Sequence, residues 1–213
     1  MKTLLKVTIA LVAVGVFAVL FVRSVRSSLG EPFTISRQVL TGWTLTLTSE
    51  GDQLGSLLSI APAAGSMRPV STELFARMGE TLHYPQAAMP IVLRSEFQRA
   101  MAGTLAPEAL LDTAREAGLE SATFQPRCMA ARRISEPGAV RAVFFLVFDL
   151  PEFTRFREQV AQQLAAAGAG TTLFEPAALS PVLIAAGLDA SFSRWLPLRV
   201  DPEVDCFAPV VVE

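Results

Sequence analysis

His83 is the chain's one histidine, so any charge-relay or thiol–imidazole mechanism has to run through it. It stands before Tyr84 and Pro85 in a stretch that reads as a break between helices. No Gly-x-Ser-x-Gly elbow accompanies it. A solitary histidine in a loop is more often a surface residue than a catalyst, because a catalyst needs partners. The two cysteines, Cys128 and Cys206, are too few and too distant for a zinc site, whose ligands come in close pairs. Two fates stay open for them. They form one disulfide, which the chain-entropy model values at about 4 kcal/mol for so long a loop, or they are buried thiols acting as small hydrophobes.

The carboxylates offer three patterns. Asp201, Glu203 and Asp205 alternate along Asp-Pro-Glu-Val-Asp, and an extended segment would project them to one side. Calcium takes about six to eight oxygens and usually a glycine-bearing turn. Neither is evident, so a solvated acidic loop is the expectation. Glu152 and Glu158 are separated by six helical positions and diverge. Asp149 ends a predicted strand, where catalytic acids often sit, but its spacing to Glu152 is that of a capping box for the next helix. Arg132 and Arg133 point to opposite faces of a strand, one to solvent and one toward a carboxylate. Ala167-Gly168-Ala169-Gly170 lacks the further glycine and the lysine of a phosphate loop. The sequence therefore assigns no catalytic residue, no cofactor-binding residue and no metal ligand; Cys128 and Cys206 remain as a possible disulfide.

The strongest signal precedes all of these groups. Residues 7–22 are apolar almost throughout, with Lys2 and Lys6 before the run and Arg23 and Arg26 after it. Such a surface is strongly unfavourable in water. Leu4 to Val22 gives 19 positions. A membrane span needs about 20 residues at ~1.5 Å rise to cross a core of about 30 Å. As a cleaved signal the segment ends poorly, because its best cut places Arg23 between Val22 and Ser24. Residues 1–26 are thus read as a retained transmembrane anchor or uncleaved signal, and residues 27–32 as a short linker. A domain spanning 33–213 follows. Charges on the two flanks balance; the basic start favours a C-terminal domain on the extracytoplasmic, periplasmic side. A cytoplasmic domain tethered by its N-terminus is the other orientation.

Lys2 and Lys6 are the only lysines, and every later basic residue is arginine, a bias of GC-rich bacterial genomes. Without residues 1–26 the 18 basic side chains become 14 against 20 acidic ones, about −6 net. That sign excludes a nucleic-acid footprint and disfavours a domain lying flat on anionic lipid.

The elements that would position these residues form a mixed α+β domain with antiparallel strands and about four to five helices. Trp43, Leu45 and Leu47 alternate with threonines as in a half-buried strand, with 33–40 preceding it as a hairpin partner and 53–60 supplying a third strand. Ser71 is placed to cap a helix carrying Leu74, Phe75, Met78 and Leu82. Pro90 opens a second helix through Leu93, Phe97 and Met101, and Pro107 a third ending at Gly118. Residues 128–135 and 140–148 flank the Glu136–Ala139 turn. The second of these strands is apolar on both faces and is expected to be covered on both. Phe153, Phe156, Val160 and Leu164 give the next helix its buried stripe. Residues 181–186 fit a strand or a helix start, 189–196 a short helix, and 209–212 a terminal strand.

The expected function is a membrane-anchored binding or envelope-assembly component without catalysis. It would hold the membrane through residues 4–22 and a protein partner in the envelope, the terminal Pro209–Glu213 strand edge being one candidate contact. The alternative is an anchored hydrolase with a site gathered around His83.

Overall fold

The computed structural model describes residues 30–48, 50–136, 139–168 and 173–213. The anchor read at residues 4–22 lies outside them, as does the Pro137–Gly138 part of the expected turn. Among the described residues no helix is long and apolar enough to cross a membrane.

The architecture is α+β. Eight strands run in chain order: β1 (Phe33–Ile35), β2 (Thr44–Leu47), β3 (Ser56–Ala61), β4 (Met89–Leu93), β5 (Gln125–Glu136), β6 (Ala139–Asp149), β7 (Val182–Gly187) and β8 (Cys206–Val212). Five described helices accompany them: α1 (Arg68–Met78), α2 (Arg94–Glu96, continued by a π turn over Phe97–Met101), α3 (Pro107–Glu116), α4 (Pro151–Ala166) and α5 (Pro202–Asp205). The larger sheet has the order β1-β8-β5-β6-β7, and the smaller one β2-β3-β4. All pairings are antiparallel except β1 with β8, which is parallel and sets Phe33 beside Val210.

The β5–β6 hairpin organises the larger sheet. On β6, Ala142, Phe144, Leu146 and Phe148 join one apolar cluster with the helices. Val143, Phe145 and Val147 join a second cluster with Phe192, Trp195 and Leu198 on the opposite face. Alternating side chains of a strand covered on both sides require this double burial. The α4 stripe of Phe153, Phe156, Val160 and Leu164 is buried as its spacing predicts.

Several elements differ from expectation. Met89–Leu93 is a strand and not the start of a helix, with all five residues buried. It is the edge strand of its sheet, where the missing N–H of Pro90 is tolerated. The first helix begins at Arg68 with a proline in its opening turn, so Ser71 lies inside it and its hydroxyl donates to the Met67 carbonyl. Gly79, at φ 64°, stops that helix before Leu82. Residues 33–35 pair with β8 in one sheet while β2 belongs to the other, so they form no hairpin. Asp149 remains the last residue of β6, and α4 has no side-chain cap.

Two exposed edges are closed by carboxylates. Glu73 of α1 accepts from the Thr34 N–H on β1, and Glu120 accepts from the Leu45 N–H on β2. A charged side chain on an edge N–H blocks strand addition there. The terminal segment is likewise occupied: Val210–Val212 pairs with β1 inside its own sheet.

Candidate functional site

The titratable residues that could do chemistry are dispersed. His83 forms a backbone bridge to Gly187, donating to its carbonyl at 2.8 Å and accepting its N–H at 2.9 Å. Its imidazole is exposed and has no bonding partner among the described residues. Gly187 lies opposite Val143 on β6. Asp149 is six residues farther along that strand, about 20 Å away at the usual strand rise. Asp149 itself is exposed and faces Arg127 at 3.4 Å. Across the sheet, Val143 pairs with Arg132, which holds Asp205 at 2.6 Å. His83 thus stands in a different part of the sheet from Asp149 and from the Arg132–Asp205 pair, beyond the reach that proton transfer to either demands.

The acidic tail segment is a helical turn and not an extended strip. Asp201 caps it by accepting from the Glu203 N–H, with Pro202 in the first position. Asp205 is buried, and it also accepts the Asp201 N–H at 2.9 Å. Its partner Arg132 donates further to the Arg199 carbonyl. Arg133, pointing the other way, is exposed and without a partner among the described residues. Among those residues no group of histidine, cysteine and carboxylate side chains is arranged to hold a metal ion. Tyr84 donates to the Ser71 carbonyl, and partial burial pushes its hydroxyl above the ordinary tyrosine range.

Cys128 on β5 and Cys206 at the start of β8 are joined by a disulfide, with Cα atoms 5.8 Å apart. It fastens α5 and β8 to the hairpin beside the Arg132–Asp205 pair. A second fastening was not foreseen. Arg157 of α4 is fully buried and binds the Glu96 carboxylate at 2.7 Å. It also donates to the carbonyls of Pro176, Ile91 and Glu175, and stacks over Phe174 at 4.6 Å. Glu96 in turn accepts the Leu93 N–H. All five guanidinium donors are used, so this cluster ties elements together and has no capacity left for a ligand. Its sequence signal was available: one carboxylate inside the apolar run 89–97, and one arginine four positions after Phe153 on the buried face of α4.

An apolar cleft of about 380 Å³ lies between the end of α1, the hairpin and the α5–β8 corner. Met78, Ala131, Arg133, Phe144, Val204, Asp205 and Phe207 line it. Phe144 and Phe207 meet edge to face at 6.4 Å, and Phe207 meets Phe33 at 5.9 Å. Phe33 is where the described chain enters the sheet. The Arg77 guanidinium lies 3.8 Å over its ring and donates to the Glu31 and Pro32 carbonyls. The cleft therefore opens next to the root of the preceding segment.

A smaller cleft of about 340 Å³ contains the Arg127–Asp149 pair with Thr154 and Ser180, but no histidine or thiol. A polar groove of about 630 Å³ runs past Thr46, Asp52 and Tyr84. No protein-family model, no curated protein and no solved structure matches the chain.

Proposed function

We propose that this is a bacterial membrane protein tethered through residues 4–22, with its α+β domain on the extracytoplasmic side. There it works by binding, as an envelope or assembly component, and not by catalysis. The observation that carries the reading is the apolar cleft opening beside Phe33, close to where the tether reaches the domain. Apolar concavities with a few polar groups at the rim are where proteins bind. The Cys128–Cys206 disulfide supports the orientation, since such bonds persist in oxidising compartments and are rare in the cytosol. A hydrolase built around His83 draws no support from an exposed imidazole standing about 20 Å along the sheet from Asp149.

The test is fractionation of cells producing the full chain or a form lacking residues 1–26. The full chain is expected in membranes washed with alkaline carbonate, and the shortened form in the soluble fraction. Full-length protein released by the wash would overturn the tether.

A further inference from the structure

We propose that the cleft face seats the domain on the bilayer that holds its tether. Phe75, Val140 and Val204 would enter the acyl-chain boundary while Arg133 reaches the lipid phosphates. This inference rests on the tethered reading and adds an orientation and a ligand class to it.

Three observations carry it. The first is proximity. From Arg26 to Phe33 the chain has seven steps, which reach at most about 25 Å when fully extended. Phe33 touches Phe207, and Phe207 touches Phe144 in the cleft. Whatever surface surrounds Phe33 is therefore held close to the headgroups.

The second is apolar exposure gathered on this side. Val204, in the cleft wall, is 77% exposed. Val140 is 60% exposed, and the register Ala131–Phe144, Arg133–Ala142, Ser135–Val140 places it on the same hairpin face as the cleft floor. Phe75 is 56% exposed, one turn before Met78 on the same flank of α1. Surface apolar groups clustered in this way mark contact with a partner or a membrane.

The third is charge. Arg133 stands among these residues without a partner among the described residues, while the carboxylate in the same lining, Asp205, is buried and paired with Arg132. A long cationic side chain beside an apolar surface suits an interface, its stem in the acyl boundary and its head at the phosphates. The domain's net charge of about −6 argues against attraction by anionic lipid. The contact is thus driven by apolar burial, and zwitterionic lipid suffices.

The experiment uses the full chain in phosphatidylcholine vesicles carrying a trace of lipid with a photoactivatable group in its acyl chain. Adducts are assigned by residue after irradiation. Labelling is expected in residues 4–22 and at Phe75, Val140 and Val204, well above Ile134 on the opposite hairpin face. It should not rise with added phosphatidylglycerol. Adducts confined to residues 4–22 would overturn this inference and leave the tether standing. Adducts nowhere would remove both. Crosslinks between copies through the cleft face, in place of lipid adducts, would overturn it in favour of a second copy as the occupant. Val204→Asp changes an exposed side chain and keeps the disulfide; it is expected to fold and to lose labelling at Phe75 and Val140 as well. Retained labelling at those two sites in the folded variant would count against a common seating surface.

Discussion

Arg157 Nη2 stands 2.7 Å from Glu96 Oε1, with the two side chains 0% and 3% exposed. A pair buried this deeply returns little more than its desolvation cost, but removing one member strands the other. Glu96→Gln or Arg157→Met alone is therefore expected to lower the unfolding free energy by about 3–5 kcal/mol. The double change Glu96→Leu with Arg157→Met should recover much of that loss. Urea unfolding of the three variants gives the comparison. A single variant as stable as the parent would show that the pair does not organise the packing of α4.

The disulfide makes a separate contribution. Cys128 and Cys206 close a loop with a sequence separation of 78. Replacing both by serine is expected to cost about 4 kcal/mol, chiefly by freeing the unfolded chain. The unfolding midpoint of the parent in reductant should fall to that of the double variant in its absence.

Gly187 sits where three atoms converge. A Cβ there would lie 3.0 Å from both the Asp189 carbonyl oxygen and Phe192 Cε1, and 3.4 Å from the Ala142 carbonyl oxygen. Two of these are backbone, so the strand must shift. Gly187→Ala should destabilise by about 1–3 kcal/mol, in the range of overpacked cores. Faster hydrogen exchange at the His83 amide, which bonds the Gly187 carbonyl, would locate the damage.

Asp149 distinguishes two roles. As a helix cap its loss would cost about 1 kcal/mol. As the half-exposed partner of Arg127 it should matter by less than about 0.5 kcal/mol. The structure predicts the smaller change for Asp149→Ala in thermal or urea unfolding.

Where the hydrophobic period was long, the elements were legible. The β5–β6 hairpin, the double-faced burial of β6 and the α4 stripe all follow from runs of nine or more residues. Short apolar runs were not. Met89–Leu93 carries neither period clearly, and reading Pro90 as a helix start ignored that an edge strand also accepts it. The parallel β1–β8 pairing joins residues 33–35 to 210–212, and no local signal announces so distant a contact. Glu96 and Arg157 could be seen as charges on apolar stripes, but their meeting required the fold. The cleft was invisible for the same reason, since its lining comes from residues 78, 131, 133, 144, 204, 205 and 207.

A domain tethered outside the cytoplasm carries Cys128 and Cys206 as a disulfide in cells, so trapping the state of these two residues decides its location. Free thiols are trapped with acid at harvest, and the protein is then treated with a large maleimide before or after reduction. In parallel, spheroplasts are exposed to protease. No size shift is expected before reduction, two adducts after it, and digestion of the domain in intact spheroplasts. Two free thiols at harvest, together with a domain protected until the inner membrane is broken, would contradict that location.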